Sequence, residues 1–273
     1  MDATDLASGK GHRDENFPVA SLLIKPAYRA PIMAFYRFAR AADDIADHPT
    51  AAPEDKLAML ARMSAGLDGD GTPEAMALRD IMAQRQIDPI HAHDLLKAFV
   101  RDVTVNRCTD WDDLIDYCRY SAMPVGRFVL DVHGEDRASW PANDALCAAL
   151  QIVNHLQDCG KDYRTINRVY VPLDTGLVVE DLGRDRATPA LRAIIVALAQ
   201  RTRALLDQSA GFARLIRDRR LAAEVAIIHR LAESLCDRLE TRDPLSEQVH
   251  HGKVEALFLA AGAAIPTLFR RAA

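Results

Sequence analysis

Two short stretches of this chain gather carboxylates at helical spacing. The first is Asp43-Asp44-Ile45-Ala46-Asp47, and the second is Asp158-Cys159-Gly160-Lys161-Asp162. Residues four apart share a helix face, separated by about 6 Å of rise. Asp43 and Asp47 therefore pair, with Asp44 beside them, and Asp158 pairs with Asp162. Asn154, one turn earlier, adds an oxygen to the second face. Like charges at this spacing repel and weaken a helix, so each cluster needs a compensating cation. Arg37 and Arg40 precede the first, and Lys161, Arg164 and Arg168 stand in and after the second. Mg²⁺ suits such a set. It takes oxygen ligands, keeps several waters, and binds one or two carboxylates plus substrate phosphates. The chemistry that follows is polarisation of a diphosphate leaving group and ionisation of a carbon–oxygen bond. Solvated acidic faces with ordinary helix ion pairs, worth tenths of a kcal/mol, are the plainer account of either cluster alone. Leu150, Ile152, Val153 and Leu156 put the second cluster on a helix that otherwise reads as buried, and two such clusters argue against that account.

The elements that must carry these residues are helical. Strand-like alternation is nearly absent, and β-branched runs such as Val169–Val171 are short. Asp88 before Pro89 and Thr188 before Pro189 are starting signals, as is Thr109 before the acidic turn of Asp110, Asp112 and Asp113. The pattern predicts helices at 19–28, 31–47, 54–66, 73–85, 89–106, 110–133, 142–164, 189–217, 219–241 and 245–270. Pro124 falls inside the sixth, where a proline frees a carbonyl and costs about 3 kcal/mol, so a kink is expected there; a helix end at Ala122 is the alternative. Arg168 to Ala187 is the longest irregular stretch. No repeat or interdomain linker is visible. The simplest organisation is a flexible segment over 1–14 and one domain over 15–273.

Composition narrows the class. The 273 residues are 49% hydrophobic and 27% charged, which is globular and not disordered. A net charge of −5 and the lack of any nucleic-acid motif exclude a nucleic-acid partner. Five scattered cysteines without C-x-x-C suit a reducing cytoplasm. The run Ala256–Ile265, ended by Pro266, falls short of the roughly 20 residues that span a bilayer, and reads as a buried helix in preference to a membrane contact. His91 and His93 are two apart and do not share a helix face, so both read as surface residues; His250 and His251 read as a solvated turn.

Three ordered motifs carry a resemblance. Phe35-Tyr36-Arg37-Phe38-Ala39-Arg40-Ala41-Ala42-Asp43-Asp44-Ile45-Ala46-Asp47 is similar to the first aspartate motif of the squalene and phytoene synthase family. Asn154-His155-Leu156-Gln157-Asp158-Cys159-Gly160-Lys161-Asp162 resembles its second, and Tyr117-Cys118-Arg119-Tyr120-Ser121-Ala122-Met123-Pro124-Val125-Gly126 resembles the helix between them. The resemblance implies an all-α isoprenoid-synthase bundle around a central apolar cavity, with the two acidic helices facing each other at its mouth. It further implies Asp43, Asp44, Asp47, Asn154, Asp158 and Asp162 as Mg²⁺ ligands. Asn16, Phe17, Tyr36, Arg40, Arg168 and Tyr170 take the substrate and diphosphate positions, and Tyr117 lies near a carbocation its ring could stabilise.

Within that family, Glu15–Ser21, Ser121–Arg127 and Asp162–Leu173 look like the branch that hydrates presqualene diphosphate to hydroxysqualene for hopanoid synthesis. Squalene and phytoene synthases usually carry arginine before the first aspartate of the second motif; here the residue is Gln157, an amide that can position water but brings no charge. The resemblance therefore implies a cytoplasmic enzyme with an isoprenoid diphosphate substrate and Mg²⁺. It also admits peripheral contact with the inner membrane and association with neighbouring pathway enzymes. Two alternatives stay open: condensation of two farnesyl diphosphates to presqualene diphosphate, squalene or a phytoene-like product, and a non-enzymatic helical interaction protein.

Overall fold

The computed structural model describes residues 23–268. Asn16 and Phe17, with the rest of the Glu15–Ser21 stretch, lie outside them. Among the described residues the chain forms α-helices and short 3₁₀ turns, and its β pairing is an isolated bridge between Arg107 and Val169. The fold is all-α. Its contacts group into two compact units, one running through Val105 and resuming over Tyr120–Glu135, the other made of Asn106–Arg119 and the chain from Asp136 onward.

The first unit holds α1 (Pro26–Ala46), α2 (Pro53–Asp68), α3 (Pro73–Arg85), α4 (Ile90–Thr104) and α6 (Met123–His133). α1 packs on α2, α3, α4 and α6. Its buried stripe of Ile32, Phe35, Phe38, Ala42 and Ile45 recurs at helical spacing, and Phe35 stacks on Phe128 with ring centroids 4.1 Å apart. Burial of each such side chain contributes about 1.5–3 kcal/mol. His91 corrects the surface expectation: it is buried, and its Nε2 lies 3.0 Å from Asp131 Oδ2.

α1 is one helix through Pro31, where separate helices were expected. Pro31 cannot donate to the carbonyl of Ala27, and Arg85 Nη2 donates to that oxygen instead, at 2.7 Å. The expected long helix over 110–133 is two. α5 (Trp111–Ser121) ends before Ala122, and Pro124 falls in the first turn of α6, where a missing N–H costs nothing. Pro124 therefore starts a helix and does not kink one.

The second unit holds most of α5 with α7 (Trp140–Ile166), α8 (Pro189–Ser209), the short α9 (Phe212–Leu215), α10 (Arg219–Thr241) and α11 (Lys253–Leu268). α7 packs on α8 and α10. Thr188 caps α8 by accepting from the Leu191 N–H at 3.2 Å, and Asp218 caps α10 from Arg220 N–H at 2.9 Å.

Two corrections matter for function. Residues 243–252 are a loop, although a helix was expected from 245. Asp243 Oδ1 accepts from Leu245 N–H at 2.9 Å, its Oδ2 accepts from Ala187 N–H at 2.9 Å, and Arg238 takes the carbonyls of Val249 and His250. These side-chain bonds compete with helix formation. The second correction is α11, which was expected to be buried. It runs through Pro266, has no buried residue, and exposes Val254, Leu257, Phe258 and Ile265. No helix among the described residues is long and apolar enough to cross a membrane.

Candidate active site

On α1, Tyr36, Arg40, Asp43, Asp44 and Asp47 line the face opposite the buried stripe, and all are half-exposed, whereas Arg37 is exposed. Arg40 bridges the acids: Nη1 donates to Asp43 Oδ2 and Nη2 to Asp44 Oδ1, both at 2.6 Å. Asp47 follows the last turn, and its N–H donates to the Asp43 carbonyl at 2.9 Å. Partial burial, with Asp47 next in weight, pushes the Asp43 carboxyl up to about 7, against the pull of Arg40. Asp44 adds to the push, as does Asp102 from α4. The site is over-supplied with negative charge and favours an added cation.

On α7, Asn154, Asp158 and Asp162 are half-exposed, while Ile152, Val153, His155, Leu156, Gln157, Cys159 and Gly160 are buried. The oxygen stripe therefore lies on a helix whose remaining faces are core. Burial alone would raise the Asp158 carboxyl. The His250 contact and the charge of Lys161 outweigh it and hold Asp158 below its usual range. Lys161 Nζ stands 4.0 Å from Asp158, and His250 Nε2 3.5 Å.

The turn after α7 delivers the next group of residues. Asn167 takes a left-handed conformation at the helix end, with φ 51°. The chain then pairs with the 106–108 segment, Val169 N–H donating to the Asn106 carbonyl at 2.9 Å and Cys108 N–H to the Val169 carbonyl at 3.0 Å. Tyr170 is thereby folded back onto α7. Its ring stacks on His155 at 3.5 Å, and its hydroxyl lies 3.2 Å from that of Tyr117. Arg168, 7% exposed, donates from Nη1 to Tyr170 Oη at 3.4 Å. Burial and the nearby Arg168 cation push the His155 imidazole down to about 3, so it is neutral. Tyr117, Arg168 and Tyr170 are thus brought together. Gln157 is different: it is 5% exposed, and neither amide atom has a hydrogen-bond partner among the described residues.

No cluster of three or more His, Cys, Asp or Glu side chains among the described residues forms a ready-made metal cage. The donor set fits a different use, in which one or two carboxylates per face hold Mg²⁺ that arrives with phosphate oxygens. The excess negative charge around Asp43 is the observation that favours this fit.

Sequence reading missed Asp102, His155 and His250. The 243–252 loop crosses α7 at Gly160, where an added Cβ would come within 2.5 Å of Leu245 Cδ2. The glycine inside D-C-G-K-D was the available signal for that close approach.

Comparison with known proteins identifies the family. The family model described as squalene/phytoene synthase matches residues 11–255. A hydroxysqualene synthase from Zymomonas mobilis subsp. mobilis is 56% identical, over 98% of this chain and 93% of its own length. One from Rhodopseudomonas palustris is 53% identical over 98% and 94%. The crystal structure of squalene synthase HpnC from Alicyclobacillus acidocaldarius superposes with a TM-score of 0.70 at 30% identity, covering 86% of this chain and 90% of that one.

Proposed function

This chain belongs to the squalene/phytoene synthase family, and from that premise we propose that it converts presqualene diphosphate and water to hydroxysqualene and diphosphate in hopanoid synthesis. The relatives named hydroxysqualene synthase, 53% and 56% identical over 98% of the chain, support that substrate and product. The structural observation that carries the reading is Gln157. It stands one residue before Asp158, buried, uncharged and with both amide atoms free of partners among the described residues. A buried amide in that state is costly unless a ligand or water satisfies it.

Asp43, Asp44 and Asp47 on α1 and Asn154, Asp158 and Asp162 on α7 are the proposed Mg²⁺ ligands. Mg²⁺ would supply Lewis-acid stabilisation of the departing diphosphate. Arg40 and Arg168 offer guanidinium donors to the phosphate oxygens, and Tyr36 lines the same α1 face. The carbon–oxygen bond breaks with its electron pair leaving on the diphosphate. The Tyr117 ring offers a π face to the cyclopropylcarbinyl cation while it rearranges, and the Tyr170 hydroxyl lies 3.2 Å from that of Tyr117. Gln157 holds one water by its amide; the water oxygen bonds to the cation, and the released proton passes to diphosphate or solvent. His155 stays neutral, so it adds no charge that would repel the cation. His250 acts through Asp158, keeping its carboxylate ionised.

The test is mass spectrometry of the product from purified presqualene diphosphate in heavy-oxygen water, without NADPH. Labelled hydroxysqualene supports the reading. Squalene or a phytoene-like product from farnesyl diphosphate, with no labelled alcohol, would replace it by the condensation reaction.

A further inference from the structure

Helix α11 presents an unusual surface. Its exposed residues Val254, Leu257, Phe258, Ala261, Gly262, Ile265 and Pro266 follow one another at helical spacing along a single face. Val254 and Leu257 are each 69% exposed, Phe258 75% and Ile265 56%. The opposite side packs on α10. A helix apolar on every side is normally buried, and this one has no buried residue among those described. The exposed side chains amount to roughly 500 Å² of contiguous apolar surface, toward the upper end of the largest patch on a typical monomer, which is often functional.

Charge selects the occupant. From Ala256 to Phe269 the sequence has no charged residue, Lys253 precedes that run, and Arg270 and Arg271 follow it. Glu255, the acid at the start of the helix, is held in an ion pair by Arg238. The apolar stripe is therefore bracketed in sequence by cations. A second copy would bring the same cation-flanked run, with Glu255 already paired, and so no opposite charge to complement it. It would also bury only about 500 Å² per partner, against the roughly 800 Å² typical of a stable interface. An interfacial helix with an apolar face and flanking cations matches a negatively charged lipid surface. At 16 residues the helix is too short to cross a bilayer.

We propose that the outward face of α11 docks this protein in the plane of an anionic membrane surface, with the Val254, Leu257, Phe258 and Ile265 side chains among the acyl chains and Lys253 at the headgroups. The inference stands on the exposure and charge of α11 and does not depend on the reaction assigned above.

The test is flotation of the full chain with phosphatidylcholine vesicles and with vesicles in which a third of the lipid is phosphatidylglycerol, at low and high salt. Binding to the anionic vesicles should exceed binding to the neutral ones by about tenfold or more, and weaken with salt. Leu257→Glu with Phe258→Glu should cut binding by about tenfold or more, and Lys253→Glu should reduce the preference for anionic lipid. All three positions are exposed, and circular dichroism of each variant verifies the fold. Turnover of detergent-dispersed substrate should be unchanged, which separates this inference from the catalytic reading. Equal binding by the double variant, or no binding by the wild type, would overturn the proposal. So would a lipid-free oligomer that the double variant dissolves, because that result assigns the face to a second copy.

Discussion

Replacing Gln157 with leucine should stabilise the protein and impair its product selection. The side chain is 5% exposed, and both of its polar atoms lack partners among the described residues. A buried polar group left unsatisfied costs about 1–3 kcal/mol. Leucine removes that cost, keeps a similar volume, and is at least as good a helix former as glutamine. At about 2–4 °C per kcal/mol for a chain of this size, Tm should rise by roughly 2–12 °C. The same change removes the group proposed to hold the attacking water, so the hydroxylated product should fall relative to eliminated or rearranged hydrocarbons. The assays are thermal unfolding and mass spectrometry of products from presqualene diphosphate, with Gln157→Met as a second apolar replacement. A lowered Tm with an unchanged product ratio would show that the amide is bonded within the fold and would refute both halves of the reasoning.

Asp43→Asn should raise Tm at pH 8 while cutting kcat/KM by about a hundredfold or more, a loss typical of removed transition-state electrostatics. The folded carboxyl is raised to about 7. An unfolded Asp titrates near 3.9, so the wild type loses stability as pH rises from about 4 to 7 and is level above that. Melting curves of both proteins across that range check this, and a wild-type advantage at pH 8 would contradict it. His250→Ala should move the acid limb of the kcat/KM profile to higher pH, because burial of Asp158 is then opposed by less. An unmoved limb would remove His250 from the site. Tyr170→Phe breaks the hydroxyl contacts with Tyr117 and Arg168 and should cost about 0.5–1.5 kcal/mol, read as a lower denaturation midpoint with unchanged slope.

The local parts of this molecule were legible in the sequence. α3 and α10 begin and end where periodicity and capping residues place them. The two oxygen stripes followed from four-residue spacing. What was not legible depends on residues far apart in the chain. Nothing near Pro31 announces that Arg85 takes the carbonyl it frees. Asp102 reaches Asp43 only through the packing of α4 on α1. His250 reaches Asp158 because side-chain bonds to Asp243 and Arg238 hold residues 243–252 out of helix. Hydropathy identified α11 as an apolar helix but carried no information on whether anything covers it. Gln157 was noticed for its type, and its unpaired amide became visible only when its surroundings were known.

The central claim is that the carboxylates of α1 and of α7 act on one diphosphate through Mg²⁺. Calorimetric titration of inorganic pyrophosphate with Mg²⁺ into the wild type, Asp43→Asn, Asp158→Asn and the double variant tests it most directly. The account expects tight binding only to the wild type, loss on chelation with EDTA, and a double variant no worse than either single one. Wild-type affinity retained by either single variant, or losses that simply add, would contradict it.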